Sequence, residues 1–140
     1  MAEMTYHFGR LDVSAERKNE DEPMLLRMDA GGVTTLTLNR PHQRNALSRA
    51  MIAAIQNELD DIRENASVRA VIFAANGPGF CAGHDMVELV ANRKSDFYDE
   101  LFDACGHMMT SIMSLPQPVI ARVQGVATAA GCQLVATCNL

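Results

Sequence analysis

The sequence predicts an α/β fold in a single domain, because short strand-like runs alternate with segments of helical periodicity. Residues 69–75 (RAVIFAA) form an apolar run rich in β-branched side chains, which is typical of a strand buried on both faces of a parallel sheet. Before it, Ile52, Ile55, Leu59 and Ile62 recur at helical spacing. Another strand precedes this helix, so the order strand, helix, strand predicts a crossover between parallel strands.

The first two strands are predicted within residues 24–38, which hold the apolar runs MLLRM and VTTLTL. Gly31-Gly32 separates the runs and tolerates the positive φ of a two-residue hairpin turn, so we expect antiparallel strands. Pro41 ends the second strand, because proline cannot donate to the ladder. Residues 1–22 hold six acids and few large apolar side chains, so we expect a mobile N-terminal tail there and the domain at 23–140.

The later elements follow from caps, periodicity and prolines. Ser48 can cap the helix after the hairpin. Residues 85–115 restart a helical rhythm in two pieces, and the prolines beyond them end the second piece. Residues 119–123 predict another strand, and residues 131–138 (GCQLVATC) predict the start of a helix that the chain leaves unfinished. We therefore expect a longer architecture that is cut short at its C-terminus.

Charge and hydropathy exclude several classes of protein. The 17 acidic residues outnumber the 12 basic ones, for a formal net charge of -5, so the chain lacks a basic field for nucleic acid. No window approaches the run of about 20 apolar residues that a membrane helix needs, and no apolar stretch near the N-terminus resembles a secretory signal. We therefore expect a soluble, cytoplasmic protein with no nucleic-acid or membrane partner.

The four cysteines and four histidines lack the spacing of a metal site. The sequence contains no CxxC pair and no HxxH or HExxH pattern. The cysteines lie in apolar or periodic segments, which predicts reduced, buried thiols. We expect no metal.

Two turns rich in small residues are the candidate sites. Residues 76–85 (NGPGFCAGHD) and 125–131 (GVATAAG) each lie between a predicted strand and a predicted helix. Small side chains let a ligand approach the backbone, and the N-terminus of each following helix offers unpaired N–H groups. Two such turns at neighbouring parallel strands would aim these donors at one cleft, as an oxyanion hole requires. The alternative interpretation is close packing of strand and helix with no ligand.

Five collinear segments resemble the crotonase, or enoyl-CoA hydratase/isomerase, superfamily. They are NRPHQRNALS (39–48), RAVIFAA (69–75), FCAGHDMVEL (80–89), PQPVIARVQG (116–125) and ATAAGCQLVATC (127–138). The segment ATAAGCQL is similar to the branch of enoyl-CoA hydratase domain-containing proteins. The resemblance implies a crotonase-like superhelix of β-β-α repeats, incomplete at its C-terminus, and therefore identifies the predicted domain as the N-terminal part of an acyl-CoA-binding domain. It also implies a homo-oligomer, a trimer or hexamer.

In this family two backbone N–H groups hold the thioester carbonyl, and the matching residues are His84 and Ala130. The resemblance implies that His84 binds the carbonyl through its backbone N–H rather than through its imidazole. Ala130 replaces a glycine and still supplies an N–H if its φ is negative. Coenzyme A enters as part of the thioester substrate and no resident cofactor is implied. The residues matching the region that binds the CoA adenine and pantetheine arm are Arg44, Ala46, Ala82, Gly83, Asp85 and Met86.

Two of these assignments leave alternatives open. Arg44 fits either a contact with a CoA phosphate or a solvated surface side chain. Asp85 and Glu88 are candidates for a substitute catalytic base, but an acid at a helix start, as Asp85 is, more commonly caps the helix.

Gln133 matches the first of two glutamates with which the family's hydratases position water. An amide takes up no proton near neutral pH, so Gln133 cannot be the general base. Its amide is left to orient water or a substrate carbonyl, or to satisfy buried backbone groups. The resemblance implies an enoyl-CoA hydratase or isomerase in the complete protein, with this chain inactive alone. The alternatives are an acyl-CoA-binding or regulatory protein without hydratase activity, and a structural fragment with no ligand.

Overall fold

Residues 22–140 are described by the computed structural model, and they contain six strands, four α-helices and a short 3-10 helix at Pro41–Gln43. In chain order the strands and α-helices are β1 (Leu25–Ala30), β2 (Val33–Leu38), α1 (Arg49–Glu64), β3 (Ala70–Ala75), β4 (Gly79–Cys81), α2 (Met86–Ala91), α3 (Ser95–Met113), β5 (Val119–Ala121), β6 (Val126–Ala127) and α4 (Ala130–Thr137). The predicted α/β class is confirmed. The mobile tail predicted for residues 1–22 lies outside the described residues, apart from Glu22.

The main sheet has the strand order β1-β2-β3-β5. β1 and β2 form the predicted antiparallel hairpin, in which Ala30 pairs with Val33. Gly31 and Gly32 make the turn with φ of +59° and +82°, a conformation that L side chains rarely adopt. β2, β3 and β5 are parallel, so α1 is the crossover that the sequence predicted.

The core lies between the main sheet and helices α1 and α3. Ser48 caps α1 as predicted, since its hydroxyl accepts from the N–H of Met51 at 3.2 Å. The predicted apolar stripe of α1 is fully buried, as are Leu36 and Phe73 on the strands beneath it. Burial of such side chains stabilises the fold by about 1.5 to 3 kcal/mol each, an upper estimate because unfolded chains are not fully extended.

Three predictions about elements need correction. Val71 and Phe73 are buried but Ile72 between them is half-exposed, so β3 is not covered on both faces. The sequence analysis also missed the two-stranded parallel sheet of β4 and β6. Finally, the helix that begins in GCQLVATC is not left unfinished. It ends at Thr137, and the N–H of Asn139 then pairs with the carbonyl of Val119 beside β5.

The prediction of buried thiols is wrong for one cysteine. Cys81 and Cys105 are buried and Cys138 is half-buried, but Cys132 is exposed on α4. Burial raises the pKa of the Cys138 thiol to about 11, so this thiol is protonated at neutral pH. Within residues 22–140, none of the helices has the length and apolar character needed to span a bilayer.

Candidate functional site

The two turns of small residues lie in contact, because β4 and β6 pair in parallel and each leads into one of them. The N–H of Thr128 donates to the carbonyl of Cys81 at 3.0 Å, and the Thr128 hydroxyl donates to the carbonyl of Ala82 at 3.2 Å. Gly83 is buried with φ of +92°, and a Cβ there would lie 2.9 Å from the Ala129 Cβ and 3.2 Å from the Ala130 nitrogen. The close approach therefore requires glycine at position 83.

Two backbone N–H groups at this contact have no acceptor within residues 22–140, those of His84 and Ala130. The neighbours of His84 are bonded to Leu47, since the Gly83 carbonyl accepts from its N–H at 2.7 Å and the Asp85 N–H donates to its carbonyl at 3.1 Å. Because successive N–H groups of an extended segment point to opposite sides, the His84 N–H points away from Leu47.

Ala130 is the first residue of α4, so its N–H is one of the four that a helix leaves unpaired at its N-terminus. Its φ is not positive, which is the condition that the sequence analysis set for an alanine here. The backbone strain lies instead at Ala129, with φ of 48° and ψ of -126°. Two free donors at touching turns can stabilise an oxygen atom on which negative charge develops.

The imidazole of His84 is half-buried at the same place. Its Nδ1 atom is buried and has no hydrogen-bond partner in the described part of the chain. The ring packs edge-on against Phe102 of α3, with centroids 5.1 Å apart and planes at 70°. Burial lowers the pKa of His84 below its usual value, so the ring is neutral at neutral pH.

A cleft of about 670 Å³ opens beside His84, and neither Ala130 nor Gln133 is among the residues that line it. Five of the six residues predicted to bind the CoA arm line it, and Gly83 lies buried behind them at the contact between the turns. The lining contains His84 together with these five residues, Arg44, Ala46, Ala82, Asp85 and Met86.

A strained turn forms one wall of the cleft. Arg44 and Asn45 both have φ of 53°, which is uncommon for residues other than glycine. The buried Asn45 side chain accepts from the Arg40 N–H at 2.8 Å and donates to the carbonyls of Asn76 and Gly79 at 2.9 and 3.0 Å. These three bonds offset the strain and direct the exposed Arg44 toward the cleft, where its side chain has no partner within residues 22–140.

The two carboxylates of the cleft are already engaged. Asp85 caps α2 by accepting from the N–H groups of Val87 and Glu88 at 3.0 and 3.3 Å, and it lies 3.5 Å from the Arg40 guanidinium. Glu88 accepts from the N–H of Arg49 at 2.9 Å. The capping role of Asp85 agrees with its position at a helix start, and neither carboxylate is positioned as an unpaired base.

Gln133 lies on the exposed side of α4, three residues after Ala130 and so on the same face of the helix. Its amide makes no hydrogen bond within residues 22–140. Within residues 22–140, Gln133 satisfies no buried backbone group.

Sequence reasoning missed two residues that build the cleft, Arg40 and Asn45. Arg40 donates to the Ser48 hydroxyl at 3.1 Å and approaches Asp85, so it joins the start of α1 to the start of α2. Nothing in the local pattern distinguishes these side chains from ordinary loop residues, because their partners are distant in the sequence.

Comparison with known proteins gives consistent results. The model of the family described as Enoyl-CoA hydratase/isomerase matches residues 29–140. Enoyl-CoA hydratase domain-containing protein 3, mitochondrial, from Xenopus laevis is 39% identical over 128 residues, covering 91% of this chain and 44% of its own length. The human protein of that name is 38% identical over 127 residues, covering 91% and 42%. The chain thus spans less than half the length of these curated relatives.

Solved structures give the same result for the fold. An enoyl-CoA hydratase from Mycobacterium smegmatis superposes with a TM-score of 0.84 at 54% identity, covering 85% of this chain and 47% of that one. The structure of human enoyl Coenzyme A hydratase domain-containing protein 3 gives a TM-score of 0.81 at 37% identity, covering 84% and 47%.

The names of the relatives correct one prediction. The proteins from Xenopus laevis, Rattus norvegicus and Homo sapiens are all named as mitochondrial, so the predicted cytoplasmic location is wrong. That prediction was based on the lack of a long apolar run and of a stretch resembling a secretory signal, and neither observation distinguishes the cytoplasm from the mitochondrion.

Proposed function

This chain belongs to the enoyl-CoA hydratase/isomerase family and has the crotonase fold, and from that premise we propose that it binds an acyl-CoA thioester in the cleft beside His84. The thioester carbonyl accepts from the N–H groups of His84 and Ala130. This oxyanion hole stabilises the enolate that forms when the carbon next to the thioester carbonyl loses a proton, or when water adds to a double bond conjugated with that carbonyl. The complete protein is then an enoyl-CoA hydratase or isomerase.

One observation carries this proposal, the pair of unpaired backbone N–H groups at touching turns. The alternative of close packing without a ligand accounts for Gly83, and the start of α4 accounts for the unpaired N–H of Ala130. Neither accounts for the His84 N–H, which meets no acceptor within residues 22–140. Donors fixed by the backbone stabilise developing charge without reorganisation, and each contributes about 3 to 4 kcal/mol in hydrolytic enzymes.

The CoA part of the ligand is proposed to lie along the remaining cleft walls. Arg44 is exposed and has no carboxylate partner within residues 22–140, so its guanidinium is free to meet a phosphate. Ala46 and Ala82 leave room for the pantetheine arm against the backbone, and Met86 supplies an apolar contact.

Calorimetric titration of crotonyl-CoA into the protein tests the proposal, with free coenzyme A as the control ligand because it lacks the thioester carbonyl. We expect saturable binding that is tighter for crotonyl-CoA than for coenzyme A. Heat that continues after saturation would indicate turnover. A folded sample that binds neither ligand contradicts the proposal.

Two variants separate the backbone donors from the side chains. His84→Ala keeps the N–H and is expected to retain crotonyl-CoA affinity within about twofold. Ala130→Pro removes an N–H at the first position of a helix, where proline is tolerated. A proline restricts the backbone conformation of the residue before it, so Ala130→Pro is made in a protein that also carries Ala129→Gly. The protein with Ala129→Gly alone is the matched control. Loss of one donor should reduce turnover by about 100-fold to 1,000-fold.

Gln133 favours a second candidate, an acyl-CoA-binding or regulatory protein without hydratase activity. The side chain of Gln133 is an amide, which cannot act as a general base, and the carboxylates of Asp85 and Glu88 already accept from backbone N–H groups. Gln133→Glu in the full-length protein distinguishes the two candidates. A parent that already hydrates crotonyl-CoA contradicts the binding-only candidate, whereas hydration gained only on substitution supports it. The exposed position near a helix N-terminus should accept the new carboxylate without loss of stability.

We further propose a homo-oligomer, a trimer or hexamer. Large apolar side chains are exposed on α2 and α3, with 66% of Met86, 81% of Val87 and 50% of Phe102 accessible. Sedimentation velocity at increasing concentration should reveal self-association, and a monomer at all concentrations contradicts it.

A further inference from the structure

The imidazole of His84 is a half-buried group on the wall of the cleft. Its Nδ1 atom is buried without a hydrogen bond in the described residues, although most buried polar atoms in folded proteins have one. The ring is oriented by the edge-on contact with Phe102 and interacts with the backbone of Leu47, which raises its pKa against the larger lowering by burial. A half-buried imidazole with an unsatisfied nitrogen is costly for stability alone, and such groups are concentrated at functional sites.

The other groups near the carbonyl-binding donors are unsuited to acid-base chemistry. Gln133 has an amide, and the carboxylates of Asp85 and Glu88 each accept from backbone N–H groups. His42 also lines the cleft, but it is fully exposed on the outer loop. His84 is the residue whose own N–H is one of the two proposed oxyanion donors, and the same residue lines the cleft.

Resting on the proposed binding of a thioester in this cleft, we propose that the His84 imidazole is a catalytic acid-base group that exchanges a proton at the carbon adjacent to the thioester carbonyl. The neutral ring takes a proton from this carbon and becomes imidazolium. The electron pair of the broken C–H bond forms the C=C bond of the enolate, and the carbonyl π pair moves to the oxygen. Return of a proton from the ring re-forms the C–H bond, so no co-reactant is consumed.

The surroundings of the ring favour this chemistry. Burial favours the neutral, basic form near neutral pH, while the charge of Glu88 stabilises the imidazolium once it forms. Phe102 of α3 contributes no charge. Two ion pairs lie nearby, Asp85 with Arg40 and Arg49 with Glu100. Arg44 on the cleft wall and Arg93 beside Phe102 are in no ion pair within residues 22–140.

Deuterium exchange into butyryl-CoA in D2O, followed by NMR or mass spectrometry, tests the inference. Butyryl-CoA has no double bond to hydrate, so exchange reports proton transfer alone. The test variants are His84→Ala and His84→Gln, both of which keep the backbone N–H. His42→Ala is the matched control, because it removes the other imidazole that lines the cleft.

We expect both His84 variants to bind butyryl-CoA like the parent but to lose exchange by at least about 100-fold, and the control to retain it. The parent rate should rise with pH and level off once the ring is neutral, a limb that His84→Gln should abolish. Normal binding with unchanged exchange in His84→Ala overturns the role of the imidazole and leaves the proposed function intact. A parent that binds butyryl-CoA without exchanging a proton also overturns the role of the imidazole and leaves the proposed function intact. A parent that fails to bind butyryl-CoA overturns both the role of the imidazole and the proposed function.

Discussion

Ala129 holds a backbone conformation that strongly favours glycine, with φ of 48° and ψ of -126°. Its side chain is exposed, so no packing is lost when the Cβ is removed. We expect Ala129→Gly to increase the free energy of unfolding by about 1 kcal/mol, because relief of strain exceeds the entropy that glycine adds to the unfolded chain. Urea denaturation followed by circular dichroism measures the change.

The matched control is Ala53→Gly, the same substitution at an exposed position inside α1. Its backbone is helical, so glycine there should lower stability by about 1 kcal/mol. Equal destabilisation by both variants would show that Ala129 is unstrained.

At the scale of residues, the sequence allows prediction only where the cause is local. Ser48 is recognisable as a cap because the helix that it caps follows directly. The sequence does not show that Asn45 and Ala129 have a positive φ. Their unusual φ values follow from closing the turns against Gly79 and Gly83, which are distant in the sequence. The free N–H groups of His84 and Ala130 came from the family resemblance, and local pattern predicted only the small-residue turns around them.

Among the elements, α4 depends on its close packing against β4. A Cβ at Gly131 would collide with the carbonyl oxygen of Cys81, and the backbone of β4 cannot move aside without breaking its pairing with β6. We expect Gly131→Ala to destabilise the protein by about 1 to 3 kcal/mol, despite the higher helix propensity of alanine. Thermal and urea denaturation measure this loss, and crotonyl-CoA binding should weaken with it because Ala130 shifts.

Gly106 provides the comparison for this prediction. It lies inside α3, and a Cβ there would meet no atom within 4 Å. Gly106→Ala should therefore stabilise the protein by about 0.5 to 1 kcal/mol. If Gly131→Ala behaves like Gly106→Ala, the contact between α4 and β4 is looser than described.

Most of the elements that were predicted correctly are long enough to show a period, and the three-residue β5 was predicted instead as a short apolar run between prolines and a glycine. α1 and α3 span 16 and 19 residues, and their buried stripes are evident in the sequence. β4 and β6 have three and two residues, too few for any alternation to appear, and they form only because the loops around them bring them together. The end of α4 was missed for a related reason, since the pairing of Asn139 with Val119 is a tertiary contact.

For the whole molecule, the direction of two pKa shifts predicts lower stability in acid. The hydroxyl of Thr34, followed by the charge of Arg27, lowers the pKa of Asp29 below its usual 3.8, so its contribution is lost only in strong acid. Burial lowers the pKa of His84 below its usual 6.5. In the unfolded chain this imidazole takes up a proton near pH 6.5, whereas in the folded protein it does so only at lower pH.

The unfolded state therefore binds more protons than the folded state as the pH falls below 6.5, and the free energy of unfolding decreases through that window. We expect a lower urea midpoint at about pH 5 than at pH 7.5, a range in which the Asp29 carboxylate stays ionised. His84→Gln should remove much of this difference, because its side chain does not titrate, and the exposed His42→Gln should preserve it. A His84→Gln protein with the full pH dependence of the parent would place the acid-sensitive group elsewhere and contradict the buried, neutral ring on which the proposed proton transfer depends.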